Sequence, residues 1–206
     1  MKINAFAFSV ALAVSCVAAQ AETAFYYTSS PTSYVGDGQT KLVSASDGFN
    51  FKVVGTADTG IQFVIDNWYL GLPSDAFLAY SLTFSPPTGQ LLIPGEYLGA
   101  ERSPSQPTTY PGLEFSAESR GDNRVKGRFT VYEANFGPNA QVLSFAADFV
   151  QYDEGNQNWW NIGQIRYNSD IPIIAVPEPA TTGLFVVSLL GMAVVARRGN
   201  RMGETV

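Results

Sequence analysis

Between residues 22 and 175, turn-forming Gly, Pro, Asn and Asp interrupt the chain every eight to twelve residues. The runs between these breaks are rich in Phe, Tyr, Val, Ile and Thr, which favour extended structure, and no amphipathic helix of useful length fits between them. Regularly spaced short strands are typical of a sandwich or barrel. We therefore predict one all-β domain over residues 22–175, an antiparallel, jelly-roll-like β-sandwich.

The pattern predicts nine strands. Alternating apolar residues are clearest at Leu78–Phe84 and at Leu143–Phe149, where every second side chain is expected to face the core. Gly137 and Pro138 predict a turn at residues 135–139, so residues 124–152 form the strongest predicted hairpin. The predicted strands are Ala24–Thr28, Thr40–Ser44, Phe49–Val54, Gly60–Ile65, Phe77–Phe84, Leu113–Ala117, Val125–Glu133, Gln141–Tyr152 and Trp159–Tyr167.

Residues 85–112 contain six prolines. Because proline has no amide hydrogen to donate to a central ladder, this segment is predicted to be mostly an exposed connection. Gly95–Leu98 is expected to pair only briefly, at a sheet edge.

The first twenty-one residues have the layout of a secretory signal peptide: Lys2, an apolar run, and small residues at Ala19 and Ala21 for signal peptidase. The alternative is a short membrane anchor, although the run is short for a span. Cleavage after Ala21 removes Cys16, the chain's one cysteine, so the mature domain is expected to fold without disulfides.

At the other end, Val176, Pro177, Glu178 and Pro179 precede the uncharged segment 180–196, and Arg197 and Arg198 follow it. Seventeen residues are near the minimum for a transmembrane helix, and arginines favour the cytoplasmic side. The prolines favour an extended, exposed strip just outside the membrane. The alternative is a plain C-terminal anchor that is never cut.

This order of Pro-Glu-Pro, apolar helix and basic cluster over residues 176–206 resembles the PEP-CTERM sorting signal. The resemblance implies export in a Gram-negative bacterium, tethering in the inner membrane, and processing near the Pro-Glu-Pro by an exosortase. It also implies association with exopolysaccharide and biofilm matrix.

Residues 91–170 are similar to a group of uncharacterised exported β-domains. The similarity lies in Pro94–Tyr97, Gly127–Val131, Phe145–Phe149 and Ile165–Ser169. Members of that group often carry a Cys-Asn pair and a Cys-Glu-Gly triplet able to form a disulfide. Here those places are occupied by Asp122-Asn123 and Asp153-Glu154-Gly155, so the resemblance implies that the bridge is absent.

Residues 22–175 carry sixteen acidic and eight basic side chains, a net charge of −8. Such a domain lacks the basic surface of nucleic-acid binding. The chain has no histidine, which excludes Ser-His-Asp and Cys-His catalysis and the common zinc sites. Two carboxylates suffice for a glycosidase, so pairs such as Glu114 with Glu118, or Asp148 with Asp153 and Glu154, stay open as a distant alternative.

Oxygen-bearing side chains beside glycines at Asp122, Asp153 and Glu154 make these residues weak calcium candidates. Ordinary turn composition explains the same pattern and is the preferred interpretation. No other cofactor is expected.

Two adjacent aromatic pairs, Trp68 with Tyr69 and Trp159 with Trp160, are candidate sugar platforms. On a strand, one member of each pair would point outward. An outward ring provides a flat apolar face for a sugar, and the alternative is that both pairs belong to the core. We therefore expect a non-catalytic exported protein of the cell surface or matrix, structural or adhesive. Polysaccharide binding is the next alternative.

Overall fold

The structure is a computed structural model that describes residues 21–73 and 76–174. The predicted signal-peptide residue Ala19, the predicted helix 180–196, and the sorting residues Val176, Pro177, Glu178, Pro179, Arg197 and Arg198 lie outside the described residues. Within the described ranges, no helix has the length and apolar character needed to cross a membrane.

The prediction of an all-β domain is confirmed. In the part of the chain that the structure describes, ten strands are joined by loops, and a 3-10 turn at Trp68–Leu70 lies between two of them. Eight of the nine predicted strands agree with observed ones to within two residues at either end, and the ninth, Val125–Glu133, extends three residues further, to Phe136. The strands are β1 Glu22–Ser29, β2 Thr40–Ser44, β3 Asn50–Thr56, β4 Gly60–Asp66, β5 Ala79–Ser85, β6 Gly95–Arg102, β7 Gly112–Ala117, β8 Val125–Phe136, β9 Val142–Asp153 and β10 Trp160–Ser169.

The strand pairing differs from the predicted antiparallel sandwich in two respects. All ten strands form one continuous sheet in the order β2-β1-β10-β9-β8-β6-β7-β5-β4-β3. The sheet is also mixed, because β6 and β7 run parallel, with Glu101 opposite Gly112 and Arg102 opposite Leu113. This overlap is so short that the connection between the two strands needs no long crossover.

Strand β6 corrects the prediction for the proline-rich segment. It lies inside the sheet, between β8 and β7, instead of pairing briefly at an edge. The prolines fall outside the strand, with Pro94 directly before it and Pro104 shortly after it. They therefore remove no donor from its ladder, which is why a central strand is possible here.

The sheet curls so that aromatic side chains from strands far apart in the sheet order meet. The ring of Phe25 on β1 lies 5.6 Å from that of Tyr80 on β5 and 5.7 Å from that of Phe115 on β7. Phe63 on β4 similarly lies 5.7 Å from Phe145 on β9. The core is therefore an aromatic layer between the two halves of one curled sheet.

Strand β9 shows both the success and the failure of the alternation pattern. Phe145, Ala147 and Phe149 are buried, as predicted, but Leu143 is 48% exposed. The pairing with β8 shifts register near this end, so Val142 takes the inward position instead. The predicted hairpin is present, with its turn at residues 137–141 and the positive φ at Ala140 instead of Gly137.

The inner face becomes polar at one end of the sheet. Gln151 and Asp153 continue the inward positions of β9 and are buried. Asn161 on β10 pairs with Gln151 on one side and with Ser29 of β1 on the other. This polar end provides the buried contacts described below.

The loop of residues 30–39, here called the cap loop, joins β1 to β2 and bridges the two halves of the sheet. Its Val35 is part of the core. Ser33 contacts β9 and β10, and Asp37 forms a 3.0 Å ion pair with Arg120, which follows β7. At the opposite end of β1, Glu22 pairs with Ser169 of β10, so the two ends of the folded domain are neighbours.

Candidate functional site

The loop between β4 and β5 presents a group of exposed apolar side chains. Trp68 is 63% exposed and Tyr69 is 62% exposed. We call this group the aromatic turn; its members are Trp68, Tyr69, Leu70, Leu72 and Phe77.

A buried polar side chain fixes the base of the aromatic turn. Asn67 donates to the carbonyl of Ala76 at 3.2 Å and accepts from the amide of Leu78 at 2.8 Å. The two sides of the loop are thereby clamped together. The chain can leave the 3-10 turn because Gly71 adopts a left-handed conformation, with φ of 65°.

A second contact supports the outer part of the turn. The Tyr69 hydroxyl donates to the carbonyl of Gly48, in the loop between β2 and β3. Gly48 also lies against the Leu70 side chain, since a Cβ added there would be 3.1 Å from Leu70 Cδ2. The exposed rings are therefore held on a supported surface.

The condition for opposite orientations within this pair, a position on a strand, is not met. Trp68 and Tyr69 lie on a 3-10 turn instead of a strand, so side-chain alternation does not apply and both point outward.

Trp159 and Trp160 are half-buried and differ from the first pair. Trp160 begins β10 opposite Tyr152, and Trp159 closes the preceding turn by donating its amide to the carbonyl of Asn156 at 2.9 Å. Asn161, which follows this pair in the sequence and could otherwise donate hydrogen bonds to a sugar, is fully buried. Among the described residues, no ring contact joins this pair to Trp68 and Tyr69, so the four aromatic candidates do not form one site.

The calcium candidates form an internal hydrogen-bond network. Asp153 accepts from Ser33 at 2.7 Å, from the amide of Val35 at 3.1 Å and from Asn161 at 2.5 Å. Asp122 accepts from Gln151 at 3.0 Å. Burial, and next the charge of Asp153, raise the pKa of the Asp122 carboxyl to about 8.

The third candidate, Glu154, accepts from the amide of Asn123 at 2.9 Å and pairs with Arg124 at 3.6 Å. The Asn123 contact holds the pKa of this carboxyl below its ordinary value. In the part of the chain that the structure describes, no three acidic, cysteine or histidine side chains are arranged to hold a metal ion.

Four of the five carboxylates considered for glycosidase chemistry are engaged in ion pairs, and the fifth, Asp153, is held by hydrogen bonds instead. Glu114 pairs with Arg102 at 3.2 Å, and Asp148 with Arg166 at 2.9 Å. Glu118 lies 3.9 Å from Arg120. Burial raises the pKa of Glu114 to about 7, against the lowering effect of Arg102.

Sequence reasoning missed a surface groove of about 490 Å³ beside β6. Leu91, Ile93 and Leu98 line it, and Tyr97 stiffens its wall because the tyrosine hydroxyl accepts from the Ile93 amide at 2.9 Å. The six prolines of residues 85–112 favoured an exposed connection, so no binding surface was predicted there.

This chain matches no protein-family model, no curated protein and no solved structure.

Proposed function

We propose that this protein is a non-catalytic, exported component of a bacterial surface or exopolysaccharide matrix, and that it attaches to polysaccharide through the aromatic turn. The observation that carries the binding role is the outward exposure of Trp68 and Tyr69 on a supported loop. A flat ring with one apolar face and one polar group is suited to stacking on the C–H face of a sugar. The role is structural or adhesive.

The chemistry of the chain supports a non-catalytic role. It contains no histidine, and its single cysteine lies in the predicted signal peptide. In each carboxylate pair considered from the sequence, at least one member is engaged in an ion pair with an arginine. Binding through apolar rings requires none of these groups.

We further infer that the curled sheet behaves as a jelly-roll-like sandwich whose two layers share a strand. Supporting this are the ring contacts between β1 and β5 and between β4 and β9, since these strands are distant in the sheet order. Two packed layers provide a rigid base for an exposed binding loop.

The export and sorting part of the proposal rests on the two ends of the sequence. Signal peptidase removes the segment ending at Ala21, and the tail 180–196 holds the protein in the inner membrane. An exosortase then cuts near Val176 to Pro179 and releases it to the surface or matrix. The test is Glu178→Ala, or deletion of 177–179, followed by cell fractionation and intact mass. We expect an uncut protein in the membrane, and normal maturation of the variant would show that the tail is a simple anchor.

The binding role is tested by affinity electrophoresis in gels containing the exopolysaccharide of the producing strain, a neutral glucan or anionic alginate. We expect Trp68→Ala to weaken binding about tenfold, since ring stacking contributes on the order of 1 kcal/mol and the apolar face is lost with it. Because the domain is acidic, we expect tighter binding to neutral polymers than to alginate.

Tyr34→Ala is the matched control for Tyr69→Ala, because the two tyrosines are 61% and 62% exposed. Only the Tyr69 substitution is expected to reduce retardation. The binding role is contradicted if the wild type migrates freely in every polymer, or if Trp68→Ala is retarded as strongly as the wild type.

A further inference from the structure

Three buried polar side chains meet where the cap loop crosses the polar end of the sheet. Ser33 comes from the cap loop, Asp153 from the end of β9 and Asn161 from β10, and all three are at least 97% buried. The Ser33 hydroxyl oxygen lies 2.7 Å from Asp153 Oδ2 and 2.8 Å from Asn161 Oδ1. Asn161 Nδ2 lies 2.5 Å from Asp153 Oδ1. We call these three residues the Ser-Asp-Asn cluster.

The Asp153 carboxylate therefore contacts both the hydroxyl that would attack and the amide group that would lose its nitrogen. Its Oδ2 contacts the hydroxyl that would lose a proton, and its Oδ1 contacts the amide nitrogen that would have to gain one. A carboxylate placed in this way can act first as a base and then, once rotation of its carboxyl group turns the proton toward the nitrogen, as an acid. The hydroxyl and the amide are also held in contact, which supplies much of the barrier reduction in an intramolecular reaction.

We propose that Ser33 and Asn161 become joined by an ester bond, formed within the folded protein with Asp153 as the proton shuttle. Ser33 Oγ bonds to Asn161 Cγ while its proton passes to Asp153 Oδ2. The Cγ–Nδ2 bond then breaks, and the nitrogen leaves as ammonia with the proton returned from Asp153. No oxidant, metal or second substrate is consumed, and Asp153 ends in the state in which it began.

Local packing favours this reaction over hydrolysis of its product. The cluster is closed to solvent, so water does not compete with the serine hydroxyl. Gly36 permits the close approach, because a Cβ at that position would lie 2.3 Å from Asn161 Oδ1. Its amide also donates to Ser33 Oγ at 2.9 Å, which fixes the hydroxyl in place. Loss of ammonia to solvent makes the step irreversible.

The bond would give a domain without cysteine a covalent staple. Residues 33 and 161 are 128 positions apart, so the link would close most of the domain into one covalent loop. Closing a long loop restricts the unfolded chain, as a disulfide does. A protein exposed outside the cell would gain resistance to unfolding that no reductant could reverse.

The test is the mass of the full-length protein as purified, followed by peptide mapping with trypsin near neutral pH. We expect the intact mass to be lower than the sequence mass of the processed chain by one ammonia. The peptide ending at Lys41 should appear joined to residues 129–166, and hydroxylamine should separate the two. Recovery of both peptides unlinked and at full yield from the wild type would overturn the proposal.

Variants separate the ester from other losses of ammonia, such as an imide at an asparagine. Ser33→Ala and Asp153→Asn should each retain the full mass, whereas Ser30→Ala should still lose ammonia. Ser30 is the matched control, since it is a buried serine of the same loop whose hydroxyl has no hydrogen-bond partner among the described residues. A loss of ammonia that persists in Ser33→Ala would also overturn the proposal. The wild-type peptide map decides the question even if a variant fails to fold.

Discussion

Asp122 makes the stability of this domain depend on pH in an unusual direction. Its carboxyl is buried beside Asp153, and these two causes raise its pKa to about 8 in the folded protein. In the unfolded chain the group returns to the ordinary value near 4. Between these two values the folded state binds more protons than the unfolded state. The contribution of Asp122 to the free energy of unfolding is therefore greatest at and below about pH 4. This contribution falls as the pH rises to about 8.

The size of the effect follows from the shift. Each unit of pKa difference corresponds to about 1.4 kcal/mol, so a shift of about four units gives at most about 5 kcal/mol. No described lysine or arginine forms an ion pair with Asp122 or Asp153. Glu114, whose pKa is raised to about 7 by burial, adds a smaller contribution of the same sign. A domain of this size has a total stability of about 5–15 kcal/mol, so the loss is large enough to measure.

Asp122→Asn removes the titrating group while keeping its contacts. The asparagine oxygen still accepts from Gln151, and its nitrogen donates to Asp153 as a protonated carboxyl would. We expect the variant to match the wild type within about 1 kcal/mol at pH 5, and to be several kcal/mol more stable at pH 9.

Urea unfolding at pH 5, 7 and 9, followed by tryptophan fluorescence, measures the difference. Asp170→Asn, at an exposed position, is the control. Its free energy of unfolding should equal that of the wild type at each of the three pH values. The reasoning is refuted if the Asp122→Asn and wild-type curves of stability against pH are parallel.

Three further substitutions test other parts of the structure. Gly163→Ala places a Cβ 2.4 Å from the Phe149 ring, so we expect a loss of about 1–3 kcal/mol in chemical unfolding; an unchanged midpoint would show that the ring can move aside. Arg166→Met removes a buried guanidinium that donates to the carbonyl of Ile171 at 3.1 Å, and we expect about 3–5 kcal/mol of destabilisation with faster hydrogen exchange in the segment after β10. Lys52→Val removes a charge from β3, an edge strand, so light scattering should show faster aggregation than in the wild type; equal scattering would mean that this lysine does not protect the edge.

The strands could be predicted because their signals are local. Thr40–Ser44 was predicted at its observed bounds, since turn residues flank it on both sides. The strand order could not be predicted from such local signals. The pairing of β1 with β10, for example, depends on contacts between residues more than a hundred positions apart. Strand β6 was underestimated for a related reason: its prolines were counted over the whole segment, although they lie outside Gly95–Arg102.

The candidate site was predictable only in part. The exposed pair Trp68 and Tyr69 was identified from adjacent aromatic residues, but their orientation depends on a 3-10 turn that sequence alternation does not reveal. The Ser-Asp-Asn cluster was missed because polar residues at the end of a strand indicate solvent. A usable signal was present in β9, where Asp153 continues the inward positions of Phe145 and Phe149.

The pairing of Glu22 with Ser169 has a consequence for how the domain can be used as a unit. Since its first and last strands end side by side, the fold needs only a short spacer to be inserted into a surface loop of another protein. The same spacer would allow the old ends to be joined and new ones opened at the turn of residues 137–141. In a tandem array, the linkers before and after each domain would attach at the same side of that domain. Each domain would then project sideways from the line of linkers, and the array would not form an extended rod.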